Sequence, residues 1–366
     1  MKKTLQIARL ELKLLFYSPI AWLMLVTLAV QMAMAFIPLI QIASSMNLQL
    51  QLHPIYRRYI MSLTNGISLA SGSLLNNMVG YLYIYMPLIT MGVMSRELGG
   101  RRTIHLLYSS PVNIRQIVFG KYLALLAFIA SMMLLFLAAV VFAAVGIIHF
   151  DYWHVLVGLA GIFMTLAAYA AIGLFLSSLT TYQVIAAILT FVMLTFLSFV
   201  GSFWQDVDFL RDITYYGLWM GYRTSNMLNG LLTTRDVIYF IAIIGMFLAM
   251  TAAGLKMSRE ARPFARRAGR FLVIICCGVI VTYLTSRPGY IGYWDATAVK
   301  QNTISENVQH ILREMGDAPV EVTEYINFFD LPTYQKAVPS LRNQDKDRWE
   351  PFIRFNPNIR LNWVYY

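Results

Sequence analysis

The sequence is short of charge, shorter still of acids, and nearly without cysteine and histidine. Asp, Glu, Lys and Arg make up 13% of the 366 residues, about half the share of an ordinary soluble domain. Against 58% hydrophobic residues that is too little charge to cover a globule in water, and the chain reads as a membrane protein. Its two cysteines, Cys276 and Cys277, are neighbours inside an apolar run and offer neither a disulfide framework nor a metal spacing. The five histidines are scattered, at 53, 105, 149, 154 and 310. His149 and His154 flank one membrane edge and read as interfacial side chains, so no metal site is expected.

Other absences exclude whole classes of chemistry. No GxxxxGK[ST] stretch occurs, because Gly120-Lys121 is followed by Tyr122 and has no glycine five residues before it. The chain has no phosphate cradle of its own, binds no cofactor on this reading, and is not expected to be an enzyme. A lipid-modifying enzyme would need polar groups clustered at a span end, and scattered histidines do not supply them. The main apolar runs hold almost no ionisable side chains, whereas ion-coupled carriers keep such groups at mid-membrane. A self-powered carrier and a hydrophilic channel are both disfavoured, and an outside energy source is implied. The net charge of +11 would suit a nucleic acid, but membrane proteins collect Lys and Arg in short cytoplasmic loops, and no nucleic-acid partner is expected.

What is present is a series of spans. Residues 2–16 place Leu5, Ala8, Leu12 and Leu15 on one helical face, with Lys2, Lys3, Arg9 and Lys13 around them. That pattern predicts an amphipathic helix lying on the membrane surface, ended by Ser18-Pro19. Spans follow at about 20–42, 78–94, 122–148, 155–179, 184–203 and 237–255, each close to the 20 or so residues needed to cross the hydrocarbon. Tyr81, Tyr83 and Tyr85 read as an interfacial belt or a substrate path, and Pro38 and Pro87 as kinks or hinges. Residues 204–235 read as short outer helices, with Asp206, Asp208 and Asp212 as caps or as cation ligands. A basic linker, 257–270, leads to a seventh, shorter span at 271–286. It carries Arg262, Arg266, Arg267 and Arg270, which read as anchors to anionic lipid.

Residues 287–366 have a soluble character. Thr303 and Glu306 stand at capping-box spacing, Gly316 stops the helix, and 319–326 alternates like a strand. This predicts the opening of an α/β domain without a closing element. No cleavable signal peptide is expected at the start, since the first apolar run is too long for one. With the N-terminus inside, the short inner segments hold fifteen basic residues and the short outer ones five. This bias predicts a cytoplasmic N-terminus and an outer, periplasmic C-terminal region.

The stretch 94–121 is a basic island between the second and third spans. It carries Arg96, Arg101, Arg102, Arg115 and Lys121 against one acid, Glu97. Gly99-Gly100 and Ser109-Ser110-Pro111 break it, leaving 103–108 for a short helix. Glu97 and Arg101 read as a docking surface or as a solvated loop, and Lys121 as part of that surface or as a side chain snorkelling at a span end.

Six spans, an amphipathic first helix and this hairpin together resemble permeases of the ABC-2 type of ATP-binding-cassette exporters. Arg96-Glu97, Gly100, Arg101-Arg102-Thr103, Leu106-Leu107, Ser110-Pro111 and Gly120-Lys121-Tyr122 are similar to that family's E…G-T…LL…P…GK pattern, with two arginines between glycine and threonine. The resemblance runs on through 171–180, 229–230 and 235–240, covers about 1–256, and is strongest to the permease subunit of the gliding-motility-associated ABC transporter of Bacteroidetes. Trp294-Asp295-Ala296-Thr297, Thr303-Ile304-Ser305 and 319–323 resemble the start of that system's auxiliary, substrate-binding-like subunit.

The resemblance implies an all-α polytopic membrane protein: a six-helix ABC-2 permease core over 1–256, the linker, the seventh span, and a partial α/β extracytoplasmic domain over 287–366. It implies a multi-pass protein of the inner membrane, paired with a second permease, identical or a sister subunit, and with the auxiliary subunit. A separate cytoplasmic ATPase would bind ATP-Mg and drive export. Arg96, Glu97, Gly100, Arg101, Thr103, Leu106, Pro111 and Lys121 would couple the two. The alternative is a non-transporting scaffold of a gliding-motility or secretion machine.

Overall fold

The computed structural model describes residues 2–52, 74–99, 112–146, 150–204, 207–259, 264–286, 291–316, 319–327 and 342–365. Helix α1, Lys2–Tyr17, turns at Ser18 into α2, Pro19–Leu52, with Pro19 in the first turn, where its missing N–H costs nothing. Then come α3, Leu74–Gly99, α4, Ile114–Gly146, α5, Tyr152–Ser177, and α6, Gln183–Phe199. Past a short 3-10 turn, a helical turn and a π-helical segment, Ile213–Leu218, lie α7, Met220–Leu228, and strand β1, Leu231–Thr233. Helices α8, Thr234–Arg259, and α9, Phe264–Thr285, complete the apolar part. Among the described residues six helices, α2 to α5, α8 and α9, are long and apolar enough to cross a membrane. At 17 residues, α6 reaches about 25 Å.

Contacts sort the helix ends into two poles. At the first, the end of α3 approaches the α5–α6 turn, where a β-carbon on Gly99 would stand 3.1 Å from the Thr181 carbonyl oxygen. The starts of α2 and α4 lie there too, the first held to α1 by the Trp22 indole donating to the Phe16 carbonyl at 2.8 Å. At the second pole, the Trp219 indole donates to Ser198 O near the end of α6, at 2.7 Å. The end of α9 meets the same region through Ser286 and Tyr216. So α6, short as it is, runs from pole to pole like its neighbours.

The central helix is α5. In its most apolar stretch 72% of residues are buried, against 6% in α9. Its buried face is built from small residues, Gly158, Gly161, Ala167, Ala168, Ala170, Ala171 and Gly173, and small residues let backbones approach where dispersion, not hydrophobicity, drives association. At Gly173 an added β-carbon would lie 2.1 Å from Thr90 Oγ1 on α3, and at Gly161 2.6 Å from Met227 Cβ on α7. A 2.8 Å bond between the Thr165 and Thr224 hydroxyls fastens α5 to α7.

The C-terminal part caps the second pole. Strand β2, Tyr293–Asp295, pairs antiparallel with β1. Helix α10, Glu306–Glu314, strand β3, Val320–Ile326, helix α11, Arg342–Ile353, and strand β4, Ile359–Tyr365, follow, and β3 and β4 are parallel. Asp295 stitches the first part together, accepting from Thr297 Oγ1 at 2.6 Å, Asn302 N at 2.9 Å and Thr303 Oγ1 at 3.1 Å. Asp151, at the start of α5, accepts from Ala298 N at 2.6 Å.

Several expectations need correction. Thr303 forms no capping box: its hydroxyl goes to Asp295, and the N-cap of α10 is Ser305 without a side-chain bond. Beyond the strand expected at 319–326, the structure adds α11 and β4, which pairs with β3. The linker is mostly helix, since α8 ends at Arg259 and α9 begins at Phe264, which puts Arg266, Arg267 and Arg270 on α9. Tyr83 and Tyr85 are half-buried and pack within the bundle, Tyr83 stacking on Phe191 at 5.8 Å and the Tyr85 hydroxyl donating to Gln31, while Tyr81 is exposed. The polar stretch 44–77, expected as an external loop, is helical at both ends, since α2 runs to Leu52 and α3 begins at Leu74, and residues 53–73 and Arg262 lie outside the described residues.

The α3–α5 contact makes a test. Gly173→Ala is expected to cost about 1–3 kcal/mol, in the usual range for overpacking, and to lower the thermal midpoint in mild detergent. Gly245→Ala, where a β-carbon meets nothing within 4 Å, is expected to leave it unchanged.

Candidate functional site

The site grows out of a doublet at the start of α4. A β-carbon on Gly120 would lie 2.8 Å from Ile7 Cγ2 and 3.0 Å from Thr4 O; only glycine lets α1 cross this closely. The next residue, Lys121, therefore starts beneath α1, and its side chain is 1% exposed. Its ammonium donates to Glu11 Oε1 of α1 at 2.6 Å, to Glu97 Oε1 of α3 at 2.7 Å and to Val93 O of α3 at 2.8 Å. All three ammonium donors are used. The carbonyl comes from the last turns of α3, where the helix dipole favours a cation. Glu11 and Glu97 are the only acids in the first 150 residues, and both are spent on this one lysine.

A buried cation with two carboxylates is not a surface ion pair. Desolvation is offset only when each donor finds its acceptor at good geometry, so the three helix ends are held in one relative position. Glu97 and Lys121 clamp together the end of α3 and the start of α4. Glu97 Oε2 is buried and without a hydrogen-bond partner among the described residues, so the clamp holds one more acceptor than it uses.

Of the residues singled out in the sequence, the structure brings Glu97 and Lys121 into contact. It corrects the snorkelling alternative for Lys121, whose ammonium points inward. Arg96 is an exposed residue of α3, with Nε donating to Gly92 O at 2.9 Å. Gly100, Arg101, Thr103, Leu106 and Pro111 lie outside the described residues, as does the expected helix 103–108. Lys2, Lys3 and Arg9 are exposed on α1, and Lys13 likewise faces out, while Ala8, Glu11 and Leu15 are buried. Sequence reasoning missed Glu11; its isolation as an acid in a long acid-free stretch was the available signal. His154 is corrected as well: it is buried, with Nε2 3.0 Å from Leu228 O, and pins α5 to α7.

The second pole holds a larger polar network. Arg223 and Asp236 are fully buried and bonded at 2.9 Å, and Asp236 also accepts from Thr233 Oγ1 at 2.7 Å. Arg235 faces Glu350 of the cap at 3.5 Å and donates to the Tyr222 hydroxyl at 3.2 Å. The Tyr215 hydroxyl donates to Asp347 of α11. Burial, with Glu350 nearby, pushes the Asp347 carboxyl up to about 7, although the Tyr215 bond acts the other way. Burial also raises the phenol of Tyr215, which keeps it a donor across the physiological range.

A family model described as ABC-2 family transporter protein matches residues 5–207, more than half of the chain, from α1 past the end of α6. No curated protein and no solved structure matches.

Two outcomes follow from this geometry. Lys121→Ala leaves Glu11 buried without its cation and is expected to cost about 3–5 kcal/mol in detergent unfolding. Adding Glu11→Gln is expected to recover part of that loss. At the other pole, Asp347 sits above its unfolded value of 3.8, so its contribution to docking is complete below that pH and lost as pH rises through about 7. Amide hydrogen exchange in α11, corrected for intrinsic rate, is expected to be faster at pH 8 than at pH 5.5, and Asp347→Asn to remove the difference.

Proposed function

The chain belongs to the ABC-2 family of transporter proteins, and from that premise we propose that it is the membrane-spanning subunit of an exporter driven by a separate cytoplasmic ATPase through residues 96–121. The observation that carries the reading is the Glu11–Lys121–Glu97 clamp. It ties the helices on both sides of the basic loop to the surface helix α1. A push on the loop would thus move the ends of α3 and α4 and the whole of α1 together. The ATPase binds ATP-Mg, and this chain supplies the lever: Arg96, Glu97, Gly100, Arg101, Thr103, Leu106 and Pro111 form the docking face and its flanks, and Lys121 transmits.

The poles support a cytoplasmic placement of the clamp. The exposed lysines of α1 and the ends of α3 and α4 that flank the basic stretch lie at that pole, which agrees with the positive-inside bias. The cap then lies outside, in the periplasm of an inner-membrane protein. Its β3–α11–β4 arrangement, two parallel strands with a helix between them, supports reading it as the fused start of an auxiliary, substrate-binding-like unit of the gliding-motility type. Arg262, Arg266, Arg267 and Arg270 hold the α8–α9 junction at the lipid headgroups. A second permease, identical or a sister subunit, completes the path against the apolar faces that α2 and α6 expose, Leu23, Val26, Val30, Val184, Ile188 and Val192 among them.

Affinity purification of the tagged chain from its native membrane tests the reading. A nucleotide-binding ATPase is expected to co-purify. Glu97→Ala is expected to leave the ATPase bound while lowering the stimulation of its hydrolysis by the permease about tenfold, and Arg101→Glu to weaken recovery itself. If no ATPase appears under any extraction, the non-transporting scaffold takes the place of the exporter.

A further inference from the structure

Helix α5 is the most buried span, and what it does expose near the second pole is one narrow stripe. Trp153, Leu156, Ala160 and Phe163 are exposed there, at the spacings of three and four that stack side chains along one helix face. On a helix long and apolar enough to cross a membrane, such a stripe faces acyl chains. The segment that leads into the cap sits on the end of this stripe. The rings of Trp153 and Trp294 meet edge to face with centroids 5.8 Å apart, and the Ala298 amide donates to Asp151 at 2.6 Å.

Between those two attachments and α10 the chain makes a turn of unusual composition. The Lys300 amide donates back to the Thr297 carbonyl at 3.2 Å, which puts Ala298 and Val299 at the tip. Turn tips in water favour Gly, Asn, Asp and Ser, yet Val299 is 73% exposed. Lys300 takes a φ of 52°, uncommon for a residue with a β-carbon, and its ammonium folds back to the Asp295 carbonyl at 2.6 Å. Asp295 holds the turn from within through Thr297, Asn302 and Thr303. A turn braced in this way, with its cation tied to its own backbone and its valine outermost, suits an apolar surface. Tyr152, Trp153 and Trp294, exposed by 61, 62 and 44%, stand around it. Four side chains fall far short of the 20 or so residues that each side of a stable protein interface uses, but aromatic rings with a polar edge are what the membrane–water boundary collects.

We propose that the turn at 297–300 is a membrane anchor of the cap, seated in the headgroup region of the bilayer as the continuation of the α5 stripe. The occupant is the lipid surface, because the stripe directly beneath Trp153 already faces lipid. The cap is then held at two places, to the bundle by the polar network and to the bilayer by Trp294 and Val299. The anchor needs no ATPase, no transport and no particular leaflet, so its success or failure is read apart from the exporter assignment.

A nitroxide spin label on Val299→Cys, in the full chain carrying Cys276→Ser and Cys277→Ser, measures this in vesicles of phosphatidylethanolamine and phosphatidylglycerol. Power saturation compares collisions of the label with oxygen, which concentrates among acyl chains, and with an aqueous nickel chelate, which is excluded from them. The oxygen-to-nickel ratio at Val299 is expected to be at least about fivefold above that of free label in buffer, approaching the ratio of a label on Leu156→Cys in the stripe below. A label on Ala298→Cys is expected to behave alike, and it decides alone if Val299→Cys does not fold. A ratio equal to that of free label would place the tip in water and overturn the proposal. Few collisions with either reagent would place the tip under protein, a second copy of this chain, and would overturn it as well.

Discussion

A lysine with 1% of its side chain exposed has to be answered by acceptors, and here the answer fixes the architecture of one pole. Burying Lys121 obliges Glu11 and Glu97 to converge on it, and their helices with them. Gly120 is the geometric condition for that convergence, since any β-carbon there would hold α1 away. The doublet therefore joins close approach and charge neutralisation in two consecutive residues. The apparent charge poverty of the sequence is the same fact seen from outside: in the first 150 residues no acid is used elsewhere.

The remainder of the bundle obeys a softer rule. Inside lipid, helices gain little from hydrophobicity against one another, so contact area and small side chains decide which faces meet. The Gly/Ala face of α5 therefore lies at the centre, and α9, with large aliphatics around most of its surface, stays outside. At the second pole polar groups return, as Arg223, Asp236, Arg235, Asp347 and Glu350. They tie the segment after α6 and the start of α8 to the cap, so that the cap is continuous with the bundle. One pole thus has a compact clamp of three side chains, and the other a broad network.

Much of this was legible. Apolar runs near 20 residues long gave the spans, and the positions of Gly99, Pro19 and Gly316 gave true helix ends. Boundaries drifted outward, because Arg96, Glu97, Lys121 and Arg266 are polar yet remain helical, and hydropathy alone ends a helix where its polarity begins. Glu11 was not legible from local pattern, since it meets Lys121 across 110 positions. His154 was misread because nothing in its neighbourhood announces the Leu228 carbonyl. The capping-box spacing at Thr303 failed because Asp295, eight residues earlier, competes for the same hydroxyl. Strand β4 alternates Ile359, Leu361 and Trp363, but its partner β3 lies about forty residues back, which sequence periodicity does not report.

We propose that an ATPase pushes on the basic stretch between α3 and α4. A photo-crosslinking residue placed at Leu106 in the intact membrane tests it most directly. The account predicts an adduct with a nucleotide-binding ATPase whose yield changes when ATP is added, and no such adduct from the same residue placed at Val299 in the cap. Adducts at Leu106 with lipid alone, or an ATPase adduct from Val299, would contradict it.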